Sequence, residues 1–262
     1  MSTVIQTLAG KVALVSGSST GIGAAIAAEL ASRGASVVIC YAYKSERAAA
    51  NAVLHGLPSC QRSIAVEADL ATADGPSKLV SEVAAKYPHI DILVNNAGYS
   101  GICDITTASN EETLRCWERT VLLNGRGTML LTRAVLPLLS PTQSRIINIG
   151  SSTSRDPDPS MTIYAGSKGM IESFTRCWAR DFPPKYGCTV NTVAPGPVET
   201  ESIRAAPIEL LSELAARSSQ TPVAPRFAKP SEIAWVVASL CEENAGWLNG
   251  LYIPVAGGRL LS

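Results

Sequence analysis

Short runs of β-branched residues alternate along this chain with longer segments of helical spacing. Such alternation is typical of repeated β-α-β units, which gather parallel strands into one sheet and place helices on both of its faces. The pattern therefore predicts an α/β fold with a doubly wound, seven-stranded parallel sheet. The predicted strands are residues 12–16, 36–41, 63–67, 92–95, 145–149, 189–193 and 251–255.

Segments rich in helix-forming residues lie between the predicted strands. They comprise residues 22–32, 46–53, 75–86, 111–139, 161–181 and 231–240. Neither a linker nor an internal repeat divides the sequence, so residues 1–262 are predicted to form a single domain. Residues 195–230 are rich in proline around one helical piece, 208–217, and are long enough to act as a lid over a substrate site.

The composition excludes several classes of partner. Lys and Arg number 22 and Asp and Glu number 22, so there is no net charge to attract nucleic acid. No apolar run is long enough to cross a membrane. The seven cysteines are scattered without a CxxC pair, which fits a reducing compartment and predicts a cytoplasmic location. With two histidines, His55 and His89, and no cluster of ligands, no metal site is expected.

A glycine-rich turn follows the first predicted strand and leads directly into a helix. By itself such a turn is often no more than a tight connection. Here it occupies the first βα turn of a doubly wound pattern, where backbone N–H groups and the positive end of the helix dipole can bind a pyrophosphate. The turn therefore predicts a Rossmann-type dinucleotide site that uses Gly17, Ser19, Gly21, Ile22 and Gly23.

The spacing of these glycines resembles that of the short-chain dehydrogenase/reductase family, and fungal hydroxynaphthalene-type and ketoacyl reductases in particular. Further motifs occur in the family's order along essentially the whole chain. One small departure is Ser16, where the family usually has threonine. The motifs are Asp69, Asn95-Asn96-Ala97-Gly98, Asn124, Ser151, Tyr164 with Lys168, and Pro195-Gly196 with Thr200.

Three of these residues suit the reduction of a carbonyl group, which needs a proton donor and a group that steadies the oxygen. Tyr164 is the candidate acid, and Lys168, four residues later on the same helix face, is expected to lower its pKa. An isolated pair of this kind is more often an ordinary surface contact. Ser151 favours catalysis because it lies at the carboxyl end of a predicted strand, where ligands bind, although it could also simply cap a turn.

The resemblance implies further roles. Asn124 is the family's fourth catalytic member, holding a water that joins Lys168 to solvent, and Lys168 also holds the nicotinamide ribose. Asp69 is the adenine contact by this resemblance, or else a cap of the following helix. The remaining cofactor contacts that the resemblance implies are Leu70, Asn95, Ala97, Gly98, Tyr164, Pro195, Gly196, Val198 and Thr200. By the same resemblance, the motif from Asn95 to Gly98 also steadies the central sheet.

The end of the second predicted strand indicates which nicotinamide cofactor binds. NAD-selective sites commonly have a carboxylate there, which accepts from the ribose 2′-hydroxyl and repels a 2′-phosphate. This chain has Tyr41, followed by Lys44, Ser45 and Arg47, which offer donors to a phosphate or else form the solvated start of a helix. The segment therefore favours NADP(H) over NAD(H).

The expected function is that of an NADPH-dependent carbonyl reductase, or the reverse alcohol dehydrogenase, acting on a small organic molecule in secondary metabolism. The alternatives are a cofactor-binding regulatory or structural protein and an enzyme that steers cyclisation or isomerisation of a reduced product. The family analogy implies a homo-oligomer, a tetramer or a dimer. The four tryptophans are interpreted as core or subunit contacts. The substrate pocket is predicted at residues 99–105, 152–163 and 198–226.

Overall fold

A computed structural model gives the fold of residues 6–157, 159–205 and 208–261. Within them, seven strands form one sheet in the order β3-β2-β1-β4-β5-β6-β7, and every neighbouring pair is parallel. This confirms the predicted doubly wound α/β fold. The strands are β1 Val12–Val15, β2 Ser36–Tyr41, β3 Ile64–Glu67, β4 Ile92–Asn95, β5 Ser144–Ile149, β6 Cys188–Pro195 and β7 Tyr252–Val255.

Helices cover both faces of this sheet. Side chains such as Ile26 and Val237 pack on one face, and Leu79 and Leu131 pack on the other. The strands are therefore almost continuously apolar, as parallel strands buried on both faces must be. The helices are α1 Gly21–Ser32, α2 Arg47–Gly56, α3 Gly75–Ala84, α4 Asn110–Val121, α5 Thr128–Val135, α6 Thr162–Asp181, α7 Pro183–Tyr186, α8 Glu201–Arg204, α9 Ile208–Ser218 and α10 Pro230–Leu240.

The long helix predicted over residues 111–139 is interrupted. α4 and α5 are separated by a π-helical turn, Leu122–Gly127, and α5 is followed by a 3₁₀ turn, Leu136–Leu138. The backbone of this turn approaches the loop after β3 so closely that a methyl group on Gly127 would lie 2.6 Å from the Leu70 carbonyl oxygen. The periodicity of the sequence extends through this interruption and could not reveal it.

The segment predicted as a lid leaves the sheet at the end of β6 and contains α8 and α9. Its two ends are held together by a short parallel bridge between Val198 and Ala228. The positions 206–207, and the predicted domain's ends at residues 1–5 and 262, lie outside the described residues. The single domain and the lid stay predictions.

Of the two alternatives for the tryptophans, core or subunit contacts, the structure excludes the core for three of the four. Trp178 packs between Phe174 and Phe182. Trp117, Trp235 and Trp247 are 51%, 61% and 97% exposed, because each lies on a helix face or loop that points away from the sheet. Their role as subunit contacts stays a prediction. Among the described helices, none is both long and apolar enough to cross a bilayer.

Candidate active site

A cleft of about 1050 Å³ opens at the carboxyl ends of the strands, where β1 and β4 lie side by side and the chain connections diverge to opposite faces. Open α/β sheets bind ligands at such a switch point. Most of the predicted cofactor residues line this cleft. They are Gly17, Ser19, Gly21, Ile22, Gly23, Tyr41, Asp69, Leu70, Ala97, Gly98, Tyr164, Lys168, Pro195, Gly196, Val198 and Thr200.

Two glycines of the turn after β1 are required by close backbone contacts. Gly17 has a φ of +60°, and a methyl group there would lie 2.9 Å from the Cα of Ala97. A methyl group on Gly23 would lie 2.2 Å from the carbonyl oxygen of Gly17, so the first turn of α1 packs directly on the loop. No other residue type allows this approach without moving the backbone.

Two neighbouring polar residues fix the shape of the turn. The Asn96 side-chain amide donates to the carbonyl oxygens of Ser16 and Gly17, both at 2.9 Å. The Ser16 hydroxyl accepts from the backbone N–H groups of Asn96 and Ala97. The hydroxyl that Ser16 shares with the family's usual threonine is therefore used. Asn96 belongs to the predicted motif, but the sequence did not predict that it holds the glycine turn.

Asn95 is not among the residues that line the cleft, so its position departs from the predicted cofactor contact and fits the structural share predicted for its motif. Its side-chain amide donates to Thr132 at 2.9 Å and to Asn148 at 2.8 Å, inside the protein. Successive side chains of a strand point to opposite faces, and Asn95, the last residue of β4, points to the face covered by α5. Its role is to link the sheet to that helix.

The start of α1 fits the diphosphate of a dinucleotide. Its N-cap residue, Thr20, makes no side-chain hydrogen bond to the helix, and the first turn contains no acidic residue. The N–H groups and the positive end of the helix dipole are thus not neutralised by the chain itself. A group with two phosphates is the chemistry that this end of the cleft accommodates.

Ser151, Tyr164 and Lys168 lie together at one end of the cleft. Ser151 follows β5 and Tyr164 and Lys168 lie one turn apart on α6. The Lys168 ammonium is buried, donates to the Ile149 carbonyl oxygen at 2.8 Å and lies 5.8 Å from the centre of the Tyr164 ring. The three predicted catalytic groups therefore share one wall of the cleft.

The direction of the Tyr164 pKa differs from the sequence expectation. Burial raises the pKa of the phenol above its ordinary value, and a hydrogen bond with Ser151 offsets only part of this. Burial also lowers the pKa of Lys168 to about 8. The prediction that Lys168 lowers the Tyr164 pKa left out burial, which is the largest influence on the pKa of both groups. A phenol that keeps its proton at neutral pH suits proton donation.

Asn124 lies behind the cleft wall, in the π-helical turn. Its side chain accepts from the Tyr99 N–H and donates to the Tyr99 carbonyl oxygen and to Ser167, all within 3.0 Å. A methyl group on Gly98 would lie 3.3 Å from Asn124 Oδ1 and 3.4 Å from Lys168 Nζ, so both residues border the same small space. The side chain thus fixes Tyr99, which lines the cleft; the water assigned to it by resemblance stays a prediction.

The opposite end of the cleft begins where β2 ends. Arg47 does not face it, because its guanidinium donates to the Tyr41 hydroxyl at 3.2 Å and to Glu67 at 2.9 Å. Lys44 and Ser45 are exposed in a short turn and are not among the lining residues. Glu46 does line the cleft, and the sequence interpretation missed it.

Asp69, the predicted adenine contact, also lines the cleft. One of its carboxylate oxygens accepts from the Ala71 N–H, so the carboxylate stabilises its own loop instead of capping a helix.

Known proteins are similar to this chain over most of its length. The family model for enoyl-(acyl carrier protein) reductases matches residues 17–259. The short-chain dehydrogenase/reductase FrzI of Cladobotryum sp is 38% identical over 252 residues, which are 95% of each chain. A hydroxynaphthalene reductase of Aspergillus fumigatus is 36% identical over an alignment 271 residues long, gaps included, which covers 97% of this chain and 96% of the relative.

A solved structure agrees. The crystal structure of a short chain dehydrogenase from Burkholderia cenocepacia in complex with NADP has a TM-score of 0.85 and 33% identity, covering 96% of this chain and 98% of the other. This chain belongs to the short-chain dehydrogenase/reductase family. The resemblance predicted from the motifs is confirmed, and with it the enzyme class, an NAD(P)-dependent oxidoreductase.

In this dehydrogenase/reductase, a polar network holds the backbone of Ser151. Its carbonyl oxygen accepts from the Ser154 hydroxyl at 2.7 Å and from the Tyr252 hydroxyl at 3.1 Å. Ser154 also bonds the carboxylate of Glu172, which is 8% exposed, and the Arg155 guanidinium lies 3.6 Å from the centre of the Tyr252 ring. The contacts of Tyr252 join positions about 100 residues apart, so no local sequence signal could have found them.

The predicted nicotinamide end is formed by the start of the lid segment. Thr200 caps α8 by accepting from the Ile203 N–H, and its methyl carbon would lie 3.5 Å from a methyl group on Gly21. Pro195 ends β6 opposite Val255 of β7, and the Gly196 N–H donates to the Val255 carbonyl oxygen at 3.0 Å. The phosphate turn and the segment predicted as a lid thus lie close together in this enzyme.

The lining of the cleft includes residues from all three segments predicted for the substrate pocket and from two that sequence reasoning missed. The predicted segments contribute residues such as Tyr99, Met161 and Leu214. α4 and its π-helical extension add Glu118, Arg119, Leu122 and Leu123, and the C-terminal segment adds Ala256, Arg259 and Leu260. The Arg119 guanidinium lies 3.9 Å from the centre of the Tyr99 ring. Position 158 of one predicted segment lies outside the described residues.

Proposed function

We propose that this enzyme is an NADPH-dependent carbonyl reductase acting on a small organic molecule. The observation that carries the proposal is the meeting of Ser151, Tyr164 and Lys168 in one cleft with the glycine turn and the free start of α1. A proton donor, an oxygen-steadying hydroxyl and a diphosphate site are the parts that such a reaction needs.

When bound, the reduced nicotinamide supplies the hydride to the carbonyl carbon. The Tyr164 hydroxyl donates a proton to the carbonyl oxygen, and its raised pKa keeps that proton in place until it is needed. The Ser151 hydroxyl donates a hydrogen bond to the same oxygen and orients it. Lys168, fixed by the Ile149 carbonyl, places a positive charge beside the phenolate that remains and stabilises it.

NADPH is the proposed cofactor. The residue at the end of β2 is Tyr41, so no carboxylate stands at the position that selects NAD in many dinucleotide sites. Lys44 and Ser45 are exposed beside the cleft, within the same turn as Tyr43, which lines it. The solved relative with bound NADP supports the same choice.

The substrate class follows from the relatives and from the cleft. A hydroxynaphthalene reductase is similar over nearly the whole chain. The substrate side combines Tyr99, Met161 and Leu214 with the hydroxyls of Ser152 and Ser160, which suits a ring system bearing oxygen substituents. We therefore propose a cyclic ketone or its enol form, with residues 195–230 closing over it as a lid.

We further propose that the enzyme works as a homo-oligomer, a tetramer or dimer, in the cytoplasm. Leu114 and Trp117 on α4 are 61% and 51% exposed, and Trp247, before β7, is 97% exposed. Apolar side chains of this size suit burial between subunits. All seven cysteines are free thiols, which supports a reducing compartment. Light scattering of the native protein and of Trp117→Glu measures the oligomeric state.

The decisive test of the proposed function is Tyr164→Phe. Loss of the proton donor is expected to lower kcat for ketone reduction by about 10²–10⁴-fold, the usual contribution of a general acid. The rate is followed by oxidation of NADPH with a panel of cyclic and open-chain ketones. The NADPH dissociation constant, measured by calorimetry, is expected to stay the same. Unchanged turnover in this variant contradicts the assignment.

A further inference from the structure

The cleft wall at the adenosine end contains a carboxylate that none of the motifs predicted. One oxygen of Glu46, Oε2, accepts from the Ser19 hydroxyl at 3.1 Å and from the Ala42 N–H at 3.3 Å. Ser19 belongs to the phosphate turn and Ala42 follows β2 directly, so Glu46 bridges the two walls of this end of the cleft. All three residues line it.

The donors that Glu46 holds are those that a phosphate on the adenosine ribose needs. A hydroxyl and a backbone N–H are common phosphate ligands. At this end of the cleft the described lining residues include the carboxylates of Glu46 and Asp69 but neither a lysine nor an arginine. Arg47, the nearest arginine in the sequence, bonds Tyr41 and Glu67 instead. The charge of the lining side chains is therefore unfavourable for a 2′-phosphate, and Lys44, the lysine nearest to them in the sequence, is exposed outside the lining.

We propose that Glu46 is a specificity-determining residue that lowers the preference of this enzyme for NADPH over NADH. A 2′-phosphate must displace the carboxylate from Ser19 and Ala42 and remains close to its negative charge. The free 2′-hydroxyl of NADH instead can donate to the carboxylate without displacing it, as in sites selective for NAD. The inference rests on the proposed function in placing the adenosine ribose at this end.

The test uses nucleotides that carry only the adenosine half of the cofactor. Isothermal calorimetry gives the dissociation constants of adenosine 2′,5′-bisphosphate and of adenosine 5′-monophosphate for the native enzyme and for Glu46→Gln. Removing one negative charge next to the phosphate is expected to tighten the bisphosphate by about fivefold or more. Binding of the monophosphate is expected to weaken or stay the same, because it lacks the 2′-phosphate.

The matched control is Glu82→Gln, which removes the same charge from an exposed position on α3 outside the cleft lining. It is expected to change neither dissociation constant. Should Glu46→Gln fail to fold, Glu46→Ala also removes the charge and carries the same expectation, whereas Glu46→Asp keeps the charge and is expected to show no gain.

Equal effects on both nucleotides, or a weaker bisphosphate complex in the variants without the charge, would overturn the proposal. They would show that Glu46 only holds the two loops in place. The proposed function fails by a different result. An enzyme that binds the bisphosphate but reduces no ketone refutes the reductase assignment. The role of Glu46 is then still tested by the ratio of the bisphosphate and monophosphate dissociation constants.

Discussion

The two halves of the cleft are built in different ways. The cofactor half consists largely of backbone at the ends of adjacent strands, and its side chains, such as Ser16 and Asn96, hold that backbone in shape. The substrate half consists of side chains from segments far apart in sequence, among them Arg119, Leu214 and Arg259.

This difference predicts how each half responds to substitution. A change in the cofactor half disturbs closely packed backbone and should affect folding and every substrate alike. A change in the substrate half removes a side chain that the sheet does not need, so it should alter the choice of substrate. Substitutions in each half test that division.

Gly23→Ala should disable the cofactor half. The added methyl group would lie 2.2 Å from the Gly17 carbonyl oxygen and 2.5 Å from the Asn96 amide, so the turn must shift. We expect a loss of about 1–3 kcal/mol in the free energy of unfolding and loss of NADPH binding. Urea unfolding and calorimetry measure the two quantities.

The control for this substitution is Gly166→Ala on α6. Nothing lies within 4 Å of a methyl group there, and alanine is favoured over glycine in a helix by about 0.5–1 kcal/mol. This variant should be as stable as the native protein or more so. If Gly23→Ala binds NADPH normally, the backbone of the cofactor half is more tolerant than the contacts indicate.

The pH dependence of the reaction rate should reveal the loss of the positive charge of Lys168, which lies where the two halves of the cleft meet. Burial lowers its pKa to about 8, so the positive charge is present below that pH and is lost as the pH rises through it. Tyr164 keeps its proton over this range because burial raises its pKa. The value of kcat/KM for NADPH, which reports the free enzyme, should therefore be level below pH 7 and fall up to about tenfold per unit above 8.

Lys168→Arg tests the origin of this change, because a guanidinium keeps its charge throughout this range. Whatever its absolute activity, this variant should lack the break near pH 8. The same break in both proteins would assign it to another group.

Tyr252→Phe should give a smaller effect confined to catalysis. It removes one hydrogen bond to the Ser151 carbonyl but leaves the second, from Ser154. A single hydrogen bond contributes about 0.5–1.5 kcal/mol, so kcat should fall about two- to tenfold while KM for NADPH stays constant. The control is Tyr186→Phe, since the Tyr186 hydroxyl has no hydrogen-bond partner among the described residues and lies outside the cleft lining. A loss of thermal stability without a change in kcat would indicate a structural role alone.

Arg119→Ala should give the smallest effect and one specific to substrate. The guanidinium lies over the Tyr99 ring on the substrate side, a contact worth about 0.5–1 kcal/mol when exposed. We expect kcat/KM to change by about two- to fivefold, unequally across a panel of ketones, with KM for NADPH unchanged. A uniform change for all ketones would contradict the division between the two halves.

Much of the cofactor half could be predicted from the sequence because its determinants are local. Gly23 packs on the carbonyl oxygen of Gly17, six residues earlier, and Tyr164 and Lys168 share a helix face through their spacing alone. The exceptions are instructive. Asn95 was assigned to the cleft although strand alternation turns it inward, and Glu46 was passed over in favour of its charged neighbours.

The fold class, the family, and the positions where a dinucleotide and a catalytic tyrosine are expected could all be predicted from the sequence. Periodicity and motif spacing suffice for these, because both are visible along the chain. The packed structure was needed to show that burial raises the Tyr164 pKa, that Tyr252 bonds the Ser151 carbonyl, and that Glu46 lines the cleft beside the end of β2. Solvent exclusion and hydrogen bonds between distant segments arise when the chain packs, and no local pattern encodes them.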